Sequence, residues 1–183
     1  MMNFEIHNTD TAPEGSKAAL NGLKAAFGFV PNIAGAMAAS PVLVNCLAAL
    51  FQNVHGGSFT ERQIQILLLT NAVTNGAEWA VGFHSFLAGE QGVAPRDVEA
   101  IRYGYLPSDP SDAALSRFAR ALIQARGQVA PEDAEQFLKA GFDRNRLLEV
   151  IAVVAASTIT NYTAGVTHPP LEAPFDAHAW NKN

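Results

Sequence analysis

The sequence predicts an all-α fold, a single-domain helical bundle, on three observations. Nearly every segment repeats its apolar residues at the helical period, and none alternates cleanly at period two. Helix start signals recur at Ser40-Pro41, Thr60-Glu61-Arg62-Gln63 and Asp143, with glycines ending the first two helices. Of 183 residues, 49% are hydrophobic and 16% charged, which points to surplus burial inside a large core or between subunits.

A polar arm (residues 1–13) leads into the domain (14–165), and a proline-containing tail (166–183) is expected to pack on it. Gly15 to Phe27 sets Ala18, Leu20, Leu23, Ala26 and Phe27 mainly on one side, and Gly28 ends that helix before a turn at Phe29-Val30-Pro31-Asn32. Ser40 as N-cap with Pro41 behind it opens a helix to about His55, stopped by Gly56-Gly57. Thr60 and Gln63 form a capping box, and the helix they open is apolar most of the way round, so burial on nearly all sides is expected.

Asn75-Gly76 interrupts or ends that helix, and the next runs toward Gly92. Ala94-Pro95 starts a short helix closed by Gly104. Leu106 to Asp112, with two prolines, reads as loop. Helix resumes through Leu115, Phe118 and Leu122 to Gly127. Pro131 begins another, with Gly141 just past it, and Asp143 caps a long apolar helix through Ile159. From Val166, three prolines forbid a continuous helix. Seven to nine helices are expected in all.

Composition excludes several function classes. The net charge is −5 and the twelve basic residues are scattered, so no stripe exists for a nucleic-acid backbone. The most apolar windows, Ile64–Val73 and Leu147–Ile159, fall short of a membrane span or carry polar residues, so no membrane is expected. The first residues are polar and mixed, unlike a secretory signal, which makes a cytoplasmic location the expectation. Cys46, the single cysteine, cannot form an intrachain disulfide or a Cys-based metal cluster, and in its apolar run it is expected to be a small buried hydrophobe. No His-x-x-x-His, Glu-x-x-His, acid-rich loop or glycine-rich phosphate cradle appears, so neither a metal nor a cofactor is expected.

Residues 77–84 read Ala-Glu-Trp-Ala-Val-Gly-Phe-His. In outline this resembles the Cys-x-x-Cys-x-x-x-His signature of the alkylhydroperoxidase-D-like branch of the carboxymuconolactone decarboxylase family. Thr60 to Leu69, His84-Ser85 with Ala88 and Gly92, the Phe27–Asn32 turn, Ala140-Gly141-Phe142 and Asn161-Tyr162 extend the resemblance to a peroxidase-related subgroup over most of Gly15 to Trp180. It implies the family's helical bundle and a homo-oligomer, a trimer or hexamer. It also implies a relay of one glutamate, two cysteines and a histidine around a reactive thiolate.

Carried onto this chain, the thiol positions are Ala77 and Ala80, the histidine is His84, and the glutamate position falls on Gln65. Alanine offers no sulfur to attack an O–O bond, and glutamine cannot titrate, so a thiol-peroxidase antioxidant role is disfavoured. His84 is either a core histidine held by a carbonyl or by Gln65, or an acid–base or hydrogen-bonding group in a pocket. Trp79 can wall that pocket, and Tyr162 and His168 can cap it, Tyr162 being the better placed. Glu78, six residues from His84, faces away, Arg62 faces solvent, and His55 and His178 are surface residues. Two functional readings follow. One is a non-redox, decarboxylase-like protein that binds or transforms a small organic acid, lactone or hydrophobic metabolite near His84, by lyase-type or other acid–base chemistry if it is an enzyme. The other is a catalytically inactive oligomeric scaffold or binding module.

Overall fold

Nine α-helices and one 3₁₀ segment, with no strand, make up the described residues, 4–181, of this computed structural model. Residues 1–3 of the arm and 182–183 of the tail lie outside the described residues. The helices are Glu14–Phe27 (α1), Asn32–Met37 (α2), Pro41–His55 (α3), Glu61–Asn75 (α4), Glu78–Glu90 (α5), Pro95–Arg102 (α6), Pro110–Gln124 (α7), Pro131–Lys139 (α8) and Arg144–Thr167 (α9). The 3₁₀ segment, Ala173–His178, lies in the tail.

The start signals act as the sequence implies. Ser40 Oγ accepts the Leu43 N–H at 3.3 Å, and Asp143 accepts the Arg146 N–H at 2.8 Å. At α4 the box is reciprocal, with Thr60 Oγ1 accepting from Gln63 N at 3.3 Å and Gln63 Oε1 accepting from Thr60 N at 3.1 Å.

Four local expectations are corrected. Pro110, Ser111 and Asp112 are the first turn of α7 rather than loop, because Asp109 accepts both the Ser111 and Asp112 N–H groups and proline suits the first helical position. The Phe29–Asn32 turn is shorter than expected, since Asn32 opens α2. Helix α9 continues to Thr167, so the tail begins at His168, whose left-handed conformation (φ 46°) ends the helix. Cys46 is exposed rather than buried, because α3 turns Val44, Leu47 and Val54 inward and leaves position 46 outside.

Helix α4 is the axis of the bundle and packs on α5, α7 and α9. Every residue from Ile64 through Ala72 is buried, so its polar members must find partners inside. Thr70 donates to Ser116 Oγ on α7 at 2.9 Å, and Asn71 donates to the Val154 carbonyl on α9 at 3.2 Å. Asn161 of α9 donates back to Asn71 Oδ1 at 3.1 Å.

By length and composition alone α9, which is longer than the apolar window Leu147–Ile159, could cross a membrane. Here Val150, Val153, Ala156 and Ser157 are buried in the bundle.

The α4–α5 turn positions the motif. Gly76 adopts a left-handed conformation (φ 68°), its N–H bonds the Val73 carbonyl at 3.1 Å, and the Ala77 N–H bonds the Ala72 carbonyl at 2.9 Å. This Schellman pair reverses the chain within two residues and lays α5 back along α4.

Candidate functional site

Ala77, the N-cap of α5, falls at i, with Ala80 and His84 of the helix at i+3 and i+7, on one side. That side faces α4, because His84 Nδ1 lies 3.0 Å from Gln65 Oε1. A glutamine oxygen accepts only, so Nδ1 carries the proton and donates. His84 is 4% exposed and Gln65 5%. Burial, with a smaller contribution from the His55 charge, lowers the His84 pKa to about 3. The imidazole is therefore neutral at ordinary pH, a fixed hydrogen-bonding group and not a titrating one.

Ala77 and Ala80 are also buried, so no exposed nucleophile occupies the thiol positions that the resemblance implies. Cys46 does not stand in for them, being exposed on α3 while His84 is buried on α5.

The opposite side of α5 carries Trp79, Gly82, Phe83 and Phe86. Trp79 stacks on Phe83 at 4.8 Å between ring centroids, and Phe83 meets the His84 ring edge-on at 5.4 Å. Phe27 joins Phe83 at 5.6 Å, and Phe175 of the tail lies 5.3 Å from Phe83 and 4.9 Å from Phe86. Trp79 thus walls an aromatic cluster on the far side of the helix from the His84–Gln65 pair.

The tail closes over this side and packs close to Gly82. A Cβ there would stand 2.8 Å from Leu171 Cδ2 and 3.4 Å from the His178 carbonyl. Glu172 binds the Trp79 indole N–H at 3.1 Å and the Asn32 backbone N–H at 2.6 Å. Burial raises the Glu172 pKa above the ordinary carboxylate value, and its hydrogen bonds partly offset that rise.

Two sequence expectations about the site are corrected. Tyr162 does not cap the His84 surroundings; it is 65% exposed, because α9 turns Asn161 inward to Asn71 and so points its neighbour outward. Arg62 does not simply face solvent: its guanidinium grips the buried Asp112 carboxylate of α7 at both oxygens, one at 2.7 Å. Glu78, His55 and His168 are exposed and His178 is half-buried.

Glu172, Phe83, Phe175 and Arg102 were missed. Arg102 on α6 donates to Ser85 Oγ at 2.9 Å and to the His178 carbonyl at 2.8 Å, and so holds the far end of the tail against α5. The one signal in the sequence was Gly82, a glycine inside a helix whose usual cause is close packing. Two surface depressions, of ≈ 490 and ≈ 470 Å³, are lined by neither His84 nor Gln65; the second borders Arg102 and Trp180. Among the described residues, no three His, Cys, Asp or Glu side chains assemble as metal ligands.

The class these features define is an all-α bundle of the alkylhydroperoxidase AhpD type. The chain is similar over 94% of its length to 93% of an uncharacterized peroxidase-related protein with an AhpD core from Ralstonia eutropha JMP134, at a TM-score of 0.83 and 18% identity. A peroxidase-related protein from Silicibacter sp. TM1040 matches with a TM-score of 0.79 and 17% identity, covering 95% of this chain and 92% of that one. The debrominase Bmp8, as a cysteine-to-alanine variant in complex with 2,3,4-tribromopyrrole, also matches at 0.79 and 17%, covering 97% and 95%. At these identities the likeness establishes the fold. No family model matches the sequence, and no curated protein matches it.

Proposed function

We propose that the chain is a non-redox protein that binds a small organic molecule, an acid, lactone or hydrophobic metabolite, beside the motif helix. The observation that carries this reading is the Gln65–His84 pair: a non-titrating partner, a neutral buried imidazole and two alanines leave hydrogen bonding and shape as the chemistry available. A general acid works best with a pKa near the operating pH, so any turnover would use His84 as a neutral donor rather than as a proton source. The Bmp8 variant with tribromopyrrole supports the reading, since that protein holds a ligand with a cysteine replaced by alanine.

Screening small carboxylates, lactones and halogenated pyrroles by thermal shift tests the proposal. A selective ligand raises the melting temperature by mass action, and the absence of any such compound would favour the inactive scaffold. That second reading has its own support in the depth at which His84 is buried. An assay with cumene hydroperoxide and a dithiol reductant should give no turnover; turnover abolished by Cys46→Ser would overturn the non-redox assignment.

Self-association fits either reading. Leu148, Ile151, Tyr162 and Val166 expose an apolar stripe on α9, and Val42 on α3 is 76% exposed. We expect a trimer or hexamer by light scattering, dissociated by Leu148→Glu with Tyr162→Glu.

A further inference from the structure

The tail side of α5 is a slot that already has an occupant. Phe175 is 4% exposed, among the rings of Phe83, Phe86 and Phe29, the last at 6.0 Å. Three residues earlier Glu172 spreads its carboxylate over two neutral donors, one oxygen on the Asn32 amide and the other on the Trp79 indole. The domain side of every one of these contacts comes from residues that precede the tail. Without residues 171–177 there would remain an aromatic wall with two N–H groups at one end.

The strap is held in a way that permits exchange. Arg102 fastens its far end through the His178 and Ala179 carbonyls, at 2.8 and 3.0 Å, and Trp180 donates to the Arg102 carbonyl at 3.2 Å. The near end is fixed by α9 and by the Asn32 side chain on the Pro170 carbonyl at 3.0 Å. Between these anchors, among the described residues, the backbone of 171–177 hydrogen-bonds only within the tail, as Phe175 N to the Glu172 carbonyl at 2.8 Å. Side chains alone hold the middle down.

We propose that this slot is a binding site for a small planar aromatic carboxylate, and that Glu172 and Phe175 fill it as a built-in competitor. The ligand's carboxylate takes the two N–H groups that Glu172 uses, and its ring takes the place of the Phe175 ring. Aromatic faces and edges select a flat ring, and two N–H donors side by side suit the two oxygens of a carboxyl group. The inference goes beyond the reading above, because this slot lies on the side of α5 away from the His84–Gln65 pair; it rests on that reading only for the ligand being a small organic acid.

The test uses the full chain and 1-naphthoate, with calorimetry on wild type, Phe175→Ala and Glu172→Gln. A site filled by its own chain binds more weakly in proportion to its open fraction, so Phe175→Ala should bind about tenfold tighter or better, and Glu172→Gln about threefold tighter. An emptied cavity accepts a ring whatever its origin, so wild type carries the decision. There, naphthoate should strip amide-exchange protection from residues 171–177 while leaving α4 protected. This wild-type measurement stands even if Phe175→Ala fails to fold. Equal affinity in all three proteins, with the tail still protected, would place the ligand elsewhere and overturn the slot while leaving the small-molecule reading intact. Naphthoate failing to bind while other compounds stabilise the protein would also overturn it. If no compound stabilises the protein at all, both readings fall together.

Discussion

Toward α4, helix α5 presents Ala77, Ala80 and His84; toward the tail it presents Trp79, Gly82, Phe83 and Phe86. The first side completes itself inside one helical hairpin, since His84 finds Gln65 only nineteen residues away. The second is finished by the tail, with Trp79 meeting Glu172 across 93 residues. Local contacts form with little loop entropy to overcome, whereas the tail must be brought back from the end of the chain. The side where the family resemblance places the chemistry is therefore built from near neighbours in sequence, and the tail side from distant ones.

Phe83 is the wall shared by the two sides, touching His84, Trp79, Phe27 and Phe175, so Phe83→Ala should have the largest effect. Removing a buried phenyl ring costs about 3–5 kcal/mol, read from urea unfolding. Amide exchange should show α4, α5 and the tail loosening together. If only the tail loosens, the two sides are more independent than the ring contacts imply.

Acid acts on the α4 side through His84. Its folded pKa of about 3 lies below the 6.5 of an unperturbed imidazole, so as pH falls the unfolded chain takes the proton first. Stability from this group is complete above pH 6.5 and is lost as pH drops from 6.5 toward 3. At pH 5 the loss relative to pH 7 should be about 2 kcal/mol. His84→Gln can still donate to Gln65 but does not titrate, so the difference between the two proteins isolates the imidazole. Parallel pH profiles for the two would show that His84 is not held in a dry interior.

Much of the bundle was legible because helix signals are local. Ser40, Thr60 and Asp143 cap within three residues of themselves, and Gly28 and Gly76 close helices with left-handed turns. The Gln65–His84 pairing was legible too, as one of the two roles open to that histidine. What failed was helical phase and distance. Cys46 and Tyr162 each lie beside a residue that faces inward, Leu47 and Asn161, and a one-residue error of about 100° turns a core position into a surface one. Arg62 found Asp112 fifty residues away, and no spacing rule covers such a pair. The tail was opaque because prolines erase the periodicity that marks a helix, and Glu172 and Phe175 have meaning only against a surface made elsewhere.

Cutting the polar pair should cost less than the shared ring. Gln65→Leu leaves the His84 N–H buried without an acceptor, a loss of about 1–3 kcal/mol in denaturant midpoint. Adding His84→Leu removes the stranded donor and should recover much of that loss, because replacing both partners by apolar groups is close to neutral. A double variant no better than the single would mean that His84 holds something besides Gln65.

Glu172→Gln should be the mildest change, and it separates shape from charge on the tail side. Burial raises the Glu172 pKa, so the folded tail favours the protonated carboxyl, and this group's contribution to stability rises as pH falls through the raised pKa. Glutamine imitates the protonated form and keeps an oxygen for one of the two donors, Asn32 or Trp79, at the expense of the other. Losing one hydrogen bond to a charged acceptor while relieving the burial of that charge leaves a net change under about 1 kcal/mol. The melting temperature at neutral pH should therefore move little, while the mild-acid gain of the wild type disappears. A large drop at neutral pH would mean that the charge itself, and not the fit of Phe175 among its neighbouring rings, keeps the strap closed.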